Sequence, residues 1–286
     1  MQSLLKIPSL SSVVIFDDIK KTKNRMPELP EVEGYKIYID STSLHKKITA
    51  FECRDPRLLK ASKADFEKHL IDSELKATER IGKYLFIKTT GKKILVIHFG
   101  MTGRPNYYKE EEDRPKYGHI VLTFENGFHF AFENKRKFGW WDLIDSIPDY
   151  KADHKLSDDA RDLSLADFKT SLSNRKTSIK TVLMDQSVAA GVGNWMADEI
   201  LYQSKIHPEK RVDDMSEKHI ETIFDAMKKV IEVAIENDAH YSDFPEDFLI
   251  HFRKEGATCY HTGGTIKKIK LGGRSTYFST KWQVIV

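Results

Sequence analysis

The sequence of 286 residues predicts an α+β protein, with antiparallel strands in its first half, helices in its second half and a small β-hairpin near its end. Three observations predict this class. Short β-branched and aromatic runs occur between residues 48 and 132, an amphipathic helical pattern covers residues 220–234, and glycine pairs bracket residues 265–271. With 40% hydrophobic and 31% charged residues, the chain is long enough for two domains, and wholesale disorder is excluded.

The first half is predicted to be an antiparallel sandwich or barrel. Its strand-like runs cover residues 84–88, 94–99, 120–124 and 128–132. Glu125-Asn126-Gly127 separates the last two runs, and Asn-Gly readily takes the positive φ angles of a type I′ turn. These two runs are therefore expected to form a hairpin.

The second half is predicted to be helical. A polar stretch at residues 145–162 is expected to be an interdomain linker. Residues 179–184 and 194–204 are predicted to be two helices joined by turns at residues 185–193. A longer amphipathic helix is indicated by apolar residues at i, i+3, i+4 and i+7 spacing, namely Ile220, Ile223, Phe224, Met227, Val230, Ile231 and Ala234.

Charge and cysteine content narrow the class of protein. Lys and Arg total 46 against 43 Asp and Glu, a net charge of +3 that is too mild to identify a nucleic-acid partner by itself. Cys53 and Cys259 lack CxxC partners, so an intracellular setting is predicted, with the compartment left open. No apolar run approaches the roughly 20 residues of a membrane span, so no membrane association is predicted. Residues 1–25 are predicted to be a dispensable extension, with a targeting peptide as the alternative.

The most informative motif is Met26-Pro27-Glu28-Leu29-Pro30-Glu31-Val32-Glu33-Gly34. Taken alone, it could simply begin a helix, because proline presets φ and acidic residues are favourable at a helix amino end. Six further motifs follow in order: GKYL at 82–85, HFGMTG at 98–103, KRKFG at 135–139, KTSIK at 176–180, GVGN at 191–194 and GRSTY at 273–277. Together they resemble the formamidopyrimidine-DNA glycosylase and endonuclease VIII family, from Met26 essentially to the end of the chain.

The resemblance implies a bifunctional DNA glycosylase and AP lyase of base excision repair, acting as a monomer on double-stranded DNA that contains oxidised bases or abasic sites. In the family an amino-terminal proline is the nucleophile, and Pro27 stands at that position. A free α-amine has a pKa near 8, so a neutral fraction exists at pH 7 to attack the sugar C1′ and form a Schiff base. Glu28 would be the general acid. Glu31 would be a helper carboxylate or, equally, a helix cap.

Other motif residues are expected to contact DNA. Lys83 matches a lysine that binds phosphates beside the lesion and assists elimination, although a lone lysine before a strand is usually a solvated charge. Three further residues, Met101, Arg136 and Phe138, match the side chains that fill the hole left by a flipped nucleotide. Without the resemblance, Met101 and Phe138 would more often be core residues.

The GVGN motif is expected to belong to a DNA-binding helix-two-turn-helix. Its glycines allow the amides beside Asn194 to approach a phosphate closely, and Arg175 and Lys176 supply positive charge. An ordinary αα-hairpin is the alternative. Tyr117 and His119 are expected in a loop where relatives contact DNA, and either could instead be an edge residue.

The carboxy-terminal segment departs from the family pattern. Most relatives have a zinc finger with two CxxC pairs, and the four ligand positions are occupied here by Cys259, Thr262, Ser279 and Trp282. Tetrahedral zinc in such a finger needs four N or S ligands, and this segment offers at best Cys259 and His261, so no metal and no cofactor are expected. The segment is predicted to be a zincless finger, held by Tyr260, Ile266, Ile269, Tyr277, Phe278 and Trp282. Arg274 at its tip would bind phosphates around the lesion and assist δ elimination.

The resemblance also implies the domain organisation. After the extension come a catalytic two-layer β-sandwich with an amino-terminal helix at 26–145, a linker at 146–162, the helix-two-turn-helix domain at 163–250 and the zincless finger at 251–286. Residues 243–256 lack the Gly-rich insert of an 8-oxoguanine lid, so the expected substrates are oxidised pyrimidines, formamidopyrimidines and hydantoins. The alternatives are an 8-oxoguanine-preferring enzyme, favoured by Leu29-Pro30, and a non-catalytic binder of damaged DNA if Pro27 stays blocked.

Overall fold

The computed structural model describes residues 26–284, so the predicted extension at 1–25 lies outside the described residues. The helices are α1 (Leu29–Thr42), α2 (Lys63–Leu70), α3 (Ile147–Asp153), α4 (Leu165–Leu172), α5 (Ile179–Leu183), α6 (Asn194–Gln203) and α7 (Glu217–Glu236). The strands are β1 (Ile48–Cys53), β2 (Leu75–Ile81), β3 (Tyr84–Thr89), β4 (Ile94–His98), β5 (Gly103–Tyr108), β6 (Gly118–Phe124), β7 (His129–Asn134), β8 (Trp140–Ile144), β9 (Ile266–Leu271) and β10 (Arg274–Ser279). Short 3₁₀ turns lie at Pro56–Leu58, Glu111–Asp113, Val212–Asp214, Tyr241–Asp243 and Leu249–Phe252. The predicted α+β class is confirmed.

Strands β1 to β8 form a two-layer sandwich. One sheet has the order β1-β6-β7-β5 and the other β2-β3-β4-β8, with antiparallel pairing throughout. Side chains alternate across each strand, so the inner faces of both sheets supply one core. In that core the buried Trp141 ring lies against Phe51, Phe130 and Phe132. The sandwich, rather than a barrel, is therefore the architecture of the first half.

Helix α1 joins the two halves of the protein. It begins with a capping box, in which the Glu31 carboxylate accepts the Glu28 backbone N–H at 2.9 Å, and Pro30 presets the first turn. Val32 and Ile39 are buried in the sandwich core, whereas Leu29 is buried in the core of the helical half. The amino end of α1 is thus fixed at the domain junction.

The turn between β6 and β7 differs from the expected type I′. The Gly127 N–H donates to the Phe124 carbonyl at 3.0 Å, and the Phe124 N–H donates to the Phe128 carbonyl at 2.9 Å. Gly127 has φ +80°, whereas Asn126 keeps a negative φ and accepts the Phe128 N–H through its side chain at 3.1 Å. This is a three-residue loop with a glycine bulge. The hairpin is confirmed, but the predicted turn type is wrong.

The polar stretch predicted to be a linker contains helix α3. The Ser146 hydroxyl caps it by accepting the Asp149 N–H at 3.3 Å. Ile147 and Tyr150 are buried against Phe86 on the outer face of the second sheet. The segment therefore packs on the sandwich instead of spanning open solvent.

The helical half confirms the predicted pair of helices and the long amphipathic helix. Helices α5 and α6 are joined by residues 184–193, and the apolar stripe of α7 packs into their shared core. Among the described residues, no helix has both the length and the apolar character needed to cross a membrane.

Strands β9 and β10 form the predicted terminal hairpin. Leu271 pairs with Arg274, and the two intervening glycines, Gly272 and Gly273, have φ +54° and +76°, as a type I′ turn requires. The hairpin packs on α6 through a cluster of Tyr202, Cys259 and Ile266. Tyr260 was expected to hold the finger, but it is 57% exposed and that part of the prediction is wrong.

Candidate active site and nucleic-acid interface

Glu28 caps the first turn of α6. Its Oε1 accepts the Trp195 N–H at 3.0 Å, and its Oε2 accepts the Met196 N–H at 3.2 Å. Burial raises the pKa of Glu28 to about 7, although Lys83 and the two N–H groups act in the opposite direction. A carboxyl with such a pKa is partly protonated at neutral pH, as general acid catalysis requires.

Gly193 makes this contact possible. A Cβ atom at this position would lie only 2.1 Å from the Glu28 carboxyl carbon and 2.4 Å from its Oε1. The φ of Gly193 is −122°, which any residue adopts, so the requirement for glycine comes from the close approach of Glu28 and not from backbone strain. The second glycine of the GVGN motif therefore leaves room for the Glu28 carboxyl, in addition to its place in the turn before α6.

Glu31 lies beside Glu28 and faces the helical half. Besides accepting the Glu28 N–H, its carboxylate accepts the Tyr241 hydroxyl at 2.6 Å through Oε1. The capping interpretation of Glu31 therefore describes its geometry, and its role as a helper carboxylate stays a prediction. Tyr241 was not found from the sequence because it is 210 residues away.

The structure brings Pro27 and Lys83 to the same junction. Pro27 is buried directly before Glu28, and Met26 borders a cavity of about 350 Å³ whose other lining residues are Glu28, Asn194, Trp195, Tyr241, Ile250 and Arg253. The Lys83 ammonium donates to the Val192 carbonyl at 3.0 Å. Burial lowers the pKa of Lys83, while the nearby Glu28 and Glu31 carboxylates favour its charged form.

Buried ion pairs fix the backbone that precedes Lys83. Arg80 binds the Glu33 carboxylate at 2.5 Å and also pairs with Asp159, and the Gly82 N–H donates to Asp159 at 2.6 Å. These contacts connect α1, β2 and the segment after α3. The backbone just before Lys83 is therefore anchored to both halves.

The three residues expected to fill the DNA stack lie on two neighbouring loops. Met101 is in the turn after β4, and Arg136 and Phe138 are in the turn after β7. The Arg136 guanidinium lies 5.1 Å from the centre of the Phe138 ring, and Phe138 is 56% exposed. Phe138 is thus not a core residue. Its residue type alone predicted a core position, and the family resemblance predicted the exposed one.

Asn194 and Arg274 lie at the contact between α6 and the finger. The Asn194 side-chain N–H donates to the Ser275 carbonyl at 3.1 Å, and Arg274 is exposed one residue earlier. Beneath them, the fully buried Lys180 donates to Asp198 at 2.6 Å and to Thr276 at 2.7 Å. From the sequence, Lys180 was identified only as the second lysine of the KTSIK motif. Its buried structural role was not predicted.

The other four residues predicted to contact DNA differ in how exposed they are. Lys176 is exposed, but Arg175 is engaged in an ion pair with Asp185 at 2.8 Å. Tyr117 is half-buried in the turn just before β6, next to the ammonium groups of Lys116 and Lys135. His119 lies within β6 and not in a loop, and its carbonyl accepts the Arg54 N–H just after β1 ends. The expectation of a loop position for His119 is therefore wrong.

The four zinc-ligand positions of the finger meet in space without forming a ligand set. Among residues 26–284, no group of three or more His, Cys, Asp or Glu side chains is placed to hold a metal. The Cys259 sulfur is 3.1 Å from the Tyr202 hydroxyl, and Trp282 donates to the Tyr202 carbonyl at 3.0 Å. Burial alone would raise the pKa of the Cys259 thiol, but the hydroxyls of Ser279, Thr262 and Tyr202 bring it to about 7.

Comparison with known proteins identifies the family. Residues 26–141 match the model of the formamidopyrimidine-DNA glycosylase N-terminal domain, and residues 157–245 match that of its H2TH domain. The formamidopyrimidine-DNA glycosylase of Streptococcus pneumoniae is 32% identical over 272 residues, covering 90% of this chain and 99% of that protein. The chain belongs to the formamidopyrimidine-DNA glycosylase family. It is a DNA glycosylase of base excision repair, in a family whose members also have AP lyase activity.

Solved structures similar to this chain include complexes with DNA. The crystal structure of Lactococcus lactis formamidopyrimidine-DNA glycosylase, bound non-covalently to DNA with an AP site, has a TM-score of 0.83 and 28% identity, covering 90% of this chain and 99% of that one. A MutM complex with DNA containing carbocyclic 8-oxo-G has a TM-score of 0.82 and 27% identity over the same shares.

Proposed function

We propose that this glycosylase is bifunctional and that Pro27 is its nucleophile. The observation that carries the proposal is the position of the Glu28 carboxyl. It is adjacent to Pro27 in the chain, buried, fixed by two N–H groups of α6 and borders the cavity. This position supports the proposal that Glu28, as the acid, and Pro27, as the nucleophile, act on the same sugar.

The proposed reaction proceeds through a Schiff base. The lone pair of the Pro27 nitrogen forms a bond to C1′, the electron pair of the glycosidic bond leaves with the base, and the base takes up the proton that the Pro27 nitrogen gives up. Glu28 protonates O4′ as the C1′–O4′ bond breaks, and the nitrogen lone pair completes the C1′=N bond of the Schiff base. Loss of a proton from C2′ then expels the 3′ phosphate, and loss of a proton from C4′ expels the 5′ phosphate. Lys83 and Arg274 bind these phosphates while they carry negative charge.

This chemistry requires a free secondary amine at Pro27, because an amide nitrogen cannot form a Schiff base. We therefore expect the active form to begin at Pro27. Borohydride should trap a covalent adduct between abasic DNA and protein beginning at Pro27, and should trap none with protein that retains residues 1–26. Pro27→Gly should retain more lyase activity than a protein with a blocked terminus. Equal trapping by an intact full-length chain would show that Pro27 is not the nucleophile.

The second candidate is a non-catalytic binder of damaged DNA. It is favoured by one fact, that residues 1–26 make the Pro27 nitrogen an amide in the sequence as written. A nicking assay on an abasic duplex separates the two functions. Binding without nicking by protein that begins at Pro27 would support this alternative.

For the substrate, we propose oxidised pyrimidines, formamidopyrimidines and hydantoins. The segment where an 8-oxoguanine lid would lie is short and includes 3₁₀ turns at Tyr241–Asp243 and Leu249–Phe252. Its Leu249 and Ile250 N–H groups both donate to the buried Glu199 carboxylate, at 2.9 and 3.0 Å, which leaves little chain free to close over a base. An 8-oxoguanine preference is supported instead by Leu29-Pro30 and by the similarity to the MutM complex.

Single-turnover excision tests the substrate proposal. Duplexes with thymine glycol, dihydrouracil, a hydantoin, a formamidopyrimidine or 8-oxoguanine opposite cytosine would be compared at equal protein concentration. We expect 8-oxoguanine to be released slowest. Fastest release of 8-oxoguanine would show that the short 3₁₀ segment does not govern base choice.

A further inference from the structure

The two loops that carry Met101, Arg136 and Phe138 touch backbone to backbone. A Cβ atom on Gly100 would lie 2.4 Å from the Phe138 carbonyl carbon and 2.4 Å from the Gly139 nitrogen. Gly100 also has φ +63°, which favours glycine. The turn after β4 therefore leaves no space between itself and the turn after β7.

Two polar side chains connect the loops. The Thr102 hydroxyl donates to the Asn134 side-chain carbonyl at 3.2 Å and accepts the Arg136 N–H at 3.0 Å. The same Asn134 oxygen accepts the Lys137 N–H at 3.0 Å, and Asn134 is fully buried. Thr102 and Asn134 thus satisfy two consecutive amides of the loop that carries Arg136 and Phe138.

The loop conformation needs such support. Lys137 has φ +57°, a left-handed conformation that costs a non-glycine residue on the order of 1 kcal/mol. Its ammonium binds the buried Asp55 at 2.8 Å. A strained residue between two exposed side chains persists only where its neighbours determine the backbone.

We propose that Thr102 and Asn134 are positioning residues that join Met101, Arg136 and Phe138 into one preformed wedge. The inference rests on the proposed role of these three side chains in filling the DNA stack. Unstacking a nucleotide costs a few kcal/mol, and a wedge that is already ordered does not add the cost of fixing its own loop. Thr102 touches no DNA in this proposal and acts through the Arg136 amide.

Substitution of Thr102 tests the proposal. Thr102→Val keeps the shape and removes both hydrogen bonds, whereas Thr102→Ser keeps the hydroxyl. Thr123→Val is the matched control. Thr123 lies in β6, which pairs with the β7 strand that carries Asn134, and its hydroxyl forms a hydrogen bond with His129 at 3.0 Å and none with the wedge. The probe is the 286-residue chain binding to DNA with a tetrahydrofuran abasic analogue next to 2-aminopurine, as duplex and as single strand. Only the duplex contains a stack that the wedge must enter.

Thr102→Val should lower the preference for duplex over single strand, measured as a ratio of Kd values, at least fivefold. It should also reduce the 2-aminopurine fluorescence rise by at least half. Thr102→Ser and Thr123→Val should stay within twofold of wild type in both measurements. An unchanged ratio in Thr102→Val, even with weaker binding overall, would overturn the proposal because it would indicate a general structural role. Phe138→Ala tests separately whether the three side chains fill the DNA stack at all. If it also leaves the ratio unchanged, the proposed stack-filling role is wrong, and not only the positioning role of Thr102.

Discussion

The Glu28 carboxylate accepts the backbone N–H of Trp195 at 3.0 Å, across 167 residues of sequence. Glu28 begins the sandwich half, and Trp195 lies in the first turn of a helix in the other half. The contact therefore fixes the proposed acid relative to both halves at once. The positive end of the α6 dipole also favours the ionised carboxylate, and burial outweighs it in setting the pKa near 7.

Base excision should depend on the protonation of Glu28. The pKa of about 7 means that the acid form of Glu28 is lost as the pH rises above neutrality, whereas the neutral form of the Pro27 amine increases up to its pKa of about 8. Single-turnover excision should therefore fall about tenfold per pH unit only above about pH 8. Glu28→Gln should reduce excision on the order of 100-fold or more and remove this dependence. Cleavage of preformed abasic DNA should be reduced less, because an abasic sugar is in equilibrium with its ring-opened aldehyde, which can form the Schiff base without a proton from Glu28 on O4′.

The matched control is Glu199→Gln. Burial also raises the pKa of Glu199 to about 7, but its carboxylate binds Leu249 and Ile250 and lies outside the cavity lining. This variant should keep the alkaline decline in excision. If Glu199→Gln removed that decline and Glu28→Gln kept it, the acid would have been assigned to the wrong carboxyl.

Gly193→Ala should impair catalysis by moving Glu28. Its added methyl group would occupy the position of the Glu28 carboxyl, whereas its backbone conformation suits alanine. A displacement of about 1 Å at a catalytic group can cost on the order of 100-fold in rate, and this is the loss expected in single-turnover excision. Gly34→Ala is the control, because a Cβ there meets nothing within 4 Å. It should raise the free energy of unfolding by about 0.5–1 kcal/mol and leave excision unchanged.

Much of the fold could be predicted because it depends on local periodicity. The apolar stripe of α7 and the Gly272-Gly273 turn act over a few residues, and both were found at the expected places. The β6–β7 turn was predicted with the wrong type, because an Asn-Gly pair fits both a type I′ turn and a glycine bulge, and the strand register decides between them. Helix α3 was missed since its few apolar residues pack on a sheet that the local sequence does not reveal.

The sequence predicted only part of the site, because many of its contacts join residues that are distant in the chain. Motif resemblance indicated Pro27, Glu28 and Lys83, which the structure brings to one junction. The groups that fix Glu28 and the adjacent Glu31 are the Trp195 amide and the Tyr241 hydroxyl, which are more than 160 residues away and belong to no pattern around Glu28. Long-range partners of this kind require the three-dimensional contact.

Arg274→Ala should weaken binding to all lesions alike. Arg274 is exposed at the start of β10 and is expected to contact a phosphate, which carries no sequence information. The slope of log K against log salt should decrease in magnitude by about 0.9, as for the loss of one phosphate contact. Arg161→Ala is the control, because Arg161 pairs with Glu232 on the surface of α7 at 3.1 Å. An equal change in both variants would indicate a general charge effect.

The finger should be stabilised by packing, so metal chelators should leave the unfolding midpoint and the activity unchanged. The Trp282 ring stacks on His261 at 4.1 Å between centroids, and its N–H donates to the Tyr202 carbonyl of α6 at 3.0 Å. Trp282→Ala removes both contacts and should destabilise the protein by about 3 kcal/mol, at the lower end for a large aromatic because the side chain is only partly buried. Tyr260→Ala, at an exposed ring in the same segment, should change the free energy of unfolding by less than about 0.5 kcal/mol. Denaturant unfolding with and without chelator measures all three effects. Stoichiometric zinc in the purified protein, or a midpoint that falls on chelation while Trp282→Ala has no effect, would show that metal and not the aromatic stack holds the finger.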